Sequence, residues 1–291
     1  MKKVILVLLC FLTLKVFALD YNNYCSSNIY NKNFKGNLAS ISGVNFLARK
    51  IAAHEISKSL EESIKTKFKV KLDNYYGIAL TDGIFKNLTI EGKNFTYDDM
   101  IISNMEAKTL CPYNHIQYKN DKITYINNLV LGYSVDITQD DLNKSIKSSK
   151  FLNAINKINN DKFLSSLFKI ENLEAQLDED KLSLNYRIVP LPNSNDSIFS
   201  FIKKQIKPFD VKMGAGLRVV DNKIEFCDFD FNSKKADYSY FLPFVNMLNP
   251  LNQKIKVDKD NEGDLKIDSV KIKTDKISIH GAIIVPGQNN K

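Results

Sequence analysis

The sequence has no tryptophan and three histidines, His54, His115 and His280. None of them stands at metal-ligand spacing from another histidine or a cysteine, so no zinc site is spelled out locally. The four cysteines include no C-x-x-C pair, which removes the thioredoxin-like redox motif. There is no G-x-S-x-G and no glycine-rich phosphate loop, so neither a nucleophile elbow nor a nucleotide cradle is present. No long Lys/Arg run occurs, and nucleic acid is not an expected partner. After the N-terminus no stretch reaches eighteen consecutive apolar residues, the length of a membrane-spanning helix. Asp228 and Asp230 lack the further oxygen ligands and the Gly turn of a calcium loop, and read as a solvated strand face. An enzyme would need a His or Ser converging with a charged partner in a pocket. Nothing local supports one, so no catalytic residue, metal or cofactor is expected.

The N-terminus carries a clear pattern. Met1-Lys2-Lys3 is followed by the apolar run Val4–Leu14, and Val16-Phe17-Ala18 places small or medium residues at positions −3 and −1 of a cut after Ala18. This is the three-part layout of a secretory signal peptide, with an uncleaved short anchor as the alternative. A mature chain from residue 19 is expected in the periplasm or outside the cell. Removing Lys2, Lys3 and Lys15 lowers the formal net charge from +8 to +5. That mild excess favours anionic membrane surfaces. Cys25, Cys111 and Cys227 remain, an odd number that allows one bridge of unspecified pairing.

Residues 19–43 are polar and irregular, and 44–286 read as one domain before a short tail, 287–291. From Val44 to Phe68, Leu47, Ile51, Ile56, Leu60 and Ile64 fall at helical spacing between charged residues, which predicts a long amphipathic helix. The period then becomes two. Ile123 to Val135 alternates with Asn127 as the exception on one face, and Ile126 and Val130 interrupt the other. Leu182 to Ile188 and Ile277 to Val285 alternate as well. Leu265-Ile267 and Val270-Ile272 read as a strand with a shift in register. One-faced alternation predicts an antiparallel sheet. A capping box, Thr138 to Asp141, opens a helix continuing through Leu142, Ile146, Leu152, Ile155 and Ile158. Further helices are expected at 197–202 and 243–249. The predicted class is α+β: a long, strongly curved antiparallel sheet wrapped around the N-terminal helix and two or three shorter ones.

The segment SYFLPFVNMLNPL, 239–251, carries no charge and is apolar on every side. Either it lies in the core or it closes a cavity holding acyl chains.

Four stretches in order resemble the LmeA-like family of exported bacterial phospholipid-binding proteins. They are GIALTDGIFKNLTIEGKNFTYDDMIISNMEAKTL (77–110), VDITQDDLNKSI (135–146), YFLPFVNMLNPL (240–251) and VKIKTDKISIHGAIIV (270–285). Thr138, Asp141, Leu142 and Asn143 match the family's helix start, and Gly281 sits in its closing hairpin. The turn Asp275-Lys276 departs from the family's Gly. The resemblance implies a tubular lipid-binding fold with an apolar groove for phospholipid or glycolipid and no catalytic residues. On that reading Phe241, Leu242, Phe244, Val245 and Leu248 line or gate the groove. The long helix contributes Leu47, Ile51 or Ile56. The alternative expectation is a non-catalytic scaffold of the cell envelope with a dry core and a protein partner.

Overall fold

The computed structural model describes residues 21–25, 43–75, 79–80, 82–97, 99–119, 122–149, 152–153, 156, 159, 168–190, 207–231, 234–235 and 264–288. The largest sheet has six strands: β1 (Phe68–Asp73), β3 (Asn87–Tyr97), β4 (Met100–Thr109), β7 (Leu129–Thr138), β14 (Lys276–Val285) and β13 (Asp264–Ile272), hydrogen-bonded in that order. All its neighbours are antiparallel. A second sheet runs β12 (Lys234–Lys235), β11 (Lys223–Phe231), β10 (Phe209–Val220), β9 (Lys181–Pro190) and β8 (Phe168–Asp178). A small third sheet joins β2 (Ile84–Phe85), β5 (Asn114–Lys119) and β6 (Lys122–Tyr125). Two α-helices, α1 (Gly43–Ile64) and α2 (Gln139–Ile146), and a 3-10 turn at Tyr21–Tyr24 join them, with further helical residues at 79–80, 149, 152–153, 156 and 159.

The α+β class with antiparallel strands is therefore observed. The single curved sheet is not: the strands divide among three sheets, and among the described residues none curls strongly around a helix. One cause is visible at Asn127. The alternation over 123–135 predicts one strand, but the chain ends β6 at Tyr125 and starts β7 at Leu129. Asn127 is buried; its side-chain oxygen accepts from the His115 amide at 2.7 Å and its Nδ2 donates to the Tyr113 carbonyl at 3.0 Å. A buried amide must be satisfied, and meeting both bonds turns the chain from one sheet into the other. The expected helices at 197–202 and 243–249 lie outside the described residues, as does most of the continuation of α2.

The six-stranded sheet keeps its core face apolar with period two. Phe68, Phe95, Ile137 and Ile277 on that face, Leu142 and Ile146 of α2, and Leu182, Leu184 and Phe226 of the second sheet join one buried cluster. A second cluster on the same face packs Leu72, Leu88, Leu129 and Val285 against Ala52, Ala53 and Ile56 of α1. Bulges bend the long strands and sharpen their local twist. One of them, between Ile267 and Ser269, is the register shift expected in β13.

The Thr-x-x-Asp-Leu-Asn start of α2 has a physical role at every position. Thr138 caps the helix, its Oγ1 accepting from Asp141 N at 3.2 Å while Asp141 Oδ2 accepts from Thr138 N at 2.8 Å. Such a cap contributes about 1 kcal/mol. Leu142 is fully buried. Asn143 reaches β8, an edge strand of the second sheet. Its Oδ1 accepts from Ala175 N at 2.7 Å and its Nδ2 donates to Ala175 O at 2.9 Å. Gln139 Oε1 accepts from Leu177 N at 2.8 Å. Asn159 exchanges the same pair of bonds with Ile170, at 3.0 and 3.3 Å. Three side-chain amides thus stand where the next strand's backbone would be.

Candidate functional site

The outer face of the six-stranded sheet is polar, and register places its side chains in rows. One row crosses all six strands: Lys69, Glu91, Glu106, Ser134, His280, Ser269. Beside it run Lys71, Thr89, Lys108, Gly132, Ala282 and Lys266. On the other side lie Lys93, Asn104, Asp136, Ser278 and Lys271. Within the rows Glu91 takes Lys71 at 2.5 Å and Lys69 at 3.3 Å.

Asp136 accepts from Lys276 Nζ at 2.9 Å and from Ser278 Oγ at 2.7 Å. Burial works to raise its pKa, but these bonds and the Lys276 charge more than offset that and hold it below the ordinary carboxylate value. A carboxyl depressed in the folded state stabilises above its unfolded pKa of about 3.9, and that contribution fades as pH falls through the folded value. Asp136→Asn is expected to cost about 1–2 kcal/mol at pH 7 by urea denaturation. The gap from wild type should shrink below about pH 4; a gap independent of pH would refute the assignment.

Three apolar residues interrupt the polar face near its end, Val130, Ala282 and Ile284, and the 3-10 turn explains them. Tyr21 and Cys111 cover Val130, Ala282 and Ile284 in a small buried cluster, and Cys25 is disulfide-bonded to Cys111. The bridge settles the open pairing and leaves Cys227 half-buried and free. Burial, with Asp228 beside it, pushes the Cys227 thiol up to about 11, which favours the protonated form at neutral pH. The start of the polar lead-in is thus tied down: Tyr21 is buried and its hydroxyl donates to Asp268 Oδ1 at 2.5 Å.

Beside this turn the sheet carries an open cleft of about 720 Å³. Glu106, Lys108, Gly132, Ser134 and His280 line it from the rows, and Tyr21, Asn22 and Leu110 from the turn and the end of β4. Asp268, the residue displaced by the β13 bulge, Tyr133 and Gly281 complete it. The Tyr133 hydroxyl donates to Lys266 O at 3.1 Å. Burial first, and then Asp268, raise the pKa of Tyr21 and Tyr133, so both keep their protons. Sequence reasoning had part of this face, since Gly132, Ser134 and Asp136 alternate away from the core. It missed Glu106, Lys108 and Asp268, which reach the cleft through strand register and a bulge.

The expected site residues on α1 separate. Ile56 packs on the core, whereas Leu47 and Ile51 are 59% and 55% exposed. The five-residue step from Ile51 to Ile56 turns about 140° around a helix, which breaks the predicted stripe. Phe46, missed from sequence, is 51% exposed beside them, with Lys50 Nζ 4.4 Å from its ring centroid. Phe241, Leu242, Phe244, Val245 and Leu248 lie outside the described residues. Of the two aspartates read as solvated, Asp228 is exposed, but Asp230 is buried and ion-paired with Lys181. Among the described residues no three His, Cys, Asp or Glu converge as metal ligands, and no helix is long and apolar enough to cross a membrane. No family model, curated protein or solved structure matches the chain.

Proposed function

We propose that the protein is an exported lipid-binding protein that docks on anionic bilayers through the first three turns of α1. The observation that carries this reading is the exposure of Phe46, Leu47 and Ile51 together, half or more of each side chain. Lys50 sits among them, Arg49 stands beside them paired with Asp73 at 3.8 Å, and no acid occurs on the helix itself before Glu55. Apolar side chains gain by leaving water, and each cation near an anionic surface adds about 1 kcal/mol. The Cys25–Cys111 bridge supports an oxidising compartment, in line with the signal-like N-terminus. The uncharged 239–251 segment, with Phe241, Leu242, Phe244, Val245 and Leu248, supplies apolar surface for acyl chains, and the LmeA-like resemblance points the same way.

Flotation with vesicles of phosphatidylglycerol and phosphatidylcholine tests it, with lipid extraction from the purified protein alongside. Binding to the anionic vesicles is expected, and substitution of Phe46, Leu47 and Ile51 together by serine should weaken it by about tenfold or more. A lipid-free protein that ignores both vesicle types would sink the reading. It would leave the envelope scaffold, which the fully buried Leu142, Phe226 and Ile277 of the main cluster favour.

A further inference from the structure

The cleft on the polar face lies on the side of the sheet opposite α1. Leu129 and Val285 face the helix cluster, whereas their chain neighbours Val130 and Ile284 face the 3-10 turn. Successive strand residues point to opposite faces, so the cleft opens away from whatever α1 touches. Its ligand therefore approaches from the aqueous side and does not depend on the lipid reading.

We propose that this cleft binds a neutral saccharide. Its volume of about 720 Å³ falls within the range of small-molecule sites, about 300–1,000 Å³. Its charges are mixed. Glu106 and Asp268 stand against Lys108, so no field of one sign selects a phosphate or a polyamine. What the lining offers is a close alternation of hydrogen-bonding types. Glu106 only accepts, Lys108 only donates, and Ser134 and His280 do both. Glu106, Ser134 and His280 are direct cross-strand neighbours, at the sheet spacing of about 4.8 Å. That spacing is close to the width of a pyranose, whose hydroxyls each donate and accept.

The walls fit the same ligand. Leu110, 43% exposed, gives the cleft an apolar border for the C–H face of a sugar, and the buried Tyr21 backs it with its hydroxyl committed to Asp268. Gly132 lets the Leu110 side chain lie close against the sheet: a Cβ there would come within 2.8 Å of Leu110 Cδ2. The disulfide fixes the turn that carries Tyr21 and Asn22, so the wall stands before the ligand arrives.

Oligosaccharides of glucose, mannose, galactose and N-acetylglucosamine are the probes, each titrated to about 10 mM against the full, disulfide-bonded chain. Saturation-transfer NMR and calorimetry report binding. At least one probe should bind. Glu106→Gln and His280→Ala should each weaken it about tenfold, while Lys93→Ala, on the same face outside the cleft, should leave it unchanged. Glu106 and His280 are both exposed, so their variants should melt with the wild type, which separates lost binding from lost fold. Silence from all four probes overturns the proposal. So does binding that survives both substitutions.

Discussion

Replacing Cys25 and Cys111 together by alanine should destabilise the protein by about 3–5 kcal/mol, read from urea denaturation. The bridge spans a sequence separation of 86 residues, and closing a loop of that size removes much of the entropy of the unfolded chain. Native packing adds to this. Cys111 is 1% exposed in the cluster with Tyr21, Val130, Ala282 and Ile284, and that cluster exists because the 3-10 turn is held down. Wild type under reductant should move in the same direction. The Tyr21–Asp268 hydrogen bond should weaken in parallel, seen as a tyrosine resonance moving toward its solvent value. A loss below about 1 kcal/mol would mean that packing alone holds the turn.

Gly281→Ala should cost about 2–4 kcal/mol, a large penalty for one methyl group. Gly281 lies in β14, between β7 and β13. A Cβ there would stand 2.0 Å from the Lys266 carbonyl oxygen and 2.7 Å from the Tyr133 hydroxyl. The first is backbone and cannot swing aside, so the β13–β14 pairing must distort. Gly132→Ala is the control. Its nearest obstacle is the end of the Leu110 side chain, which can rotate away, and the reduced entropy of the unfolded chain offsets part of the contact. Its expected cost is below about 1 kcal/mol. Equal losses at the two positions would show that the backbone contact is not the cause.

What could be read from the sequence follows from which signals are local. The capping box at Thr138 and Asp141 was legible because every partner lies within one helical turn. The broken register at Ile267–Ser269 was legible because the alternation itself slips there. The division into separate sheets was not. It turns on Asn127, whose partners Tyr113 and His115 are distant enough in sequence that only the folded chain brings them together. Asn127 did stand out as the polar exception in an apolar stripe, which is the mark a buried amide leaves. The α1 surface was half legible. Helical spacing found Leu47 and Ile51, but which of two stripes faces the sheet is decided by Ala52, Ala53 and Ile56 packing on Leu72 and Leu88. The cleft was least legible, since Glu106, Ser134 and His280 become neighbours only through the pairings of β4, β7 and β14.

The amides that meet β8 bear on how the molecule behaves in a crowd. A bare edge offers its backbone groups to any passing strand, including the same strand of another copy, and can grow by adding chains. Along β8, Ala175, Leu177 and Ile170 already hold bonds to Asn143, Gln139 and Asn159. An arriving strand would have to displace them for no net gain in hydrogen bonds. The sheet therefore stops where the chain stops it. Asparagine and glutamine, which look like filler in a sequence rich in asparagine, serve here as the terminators of a template.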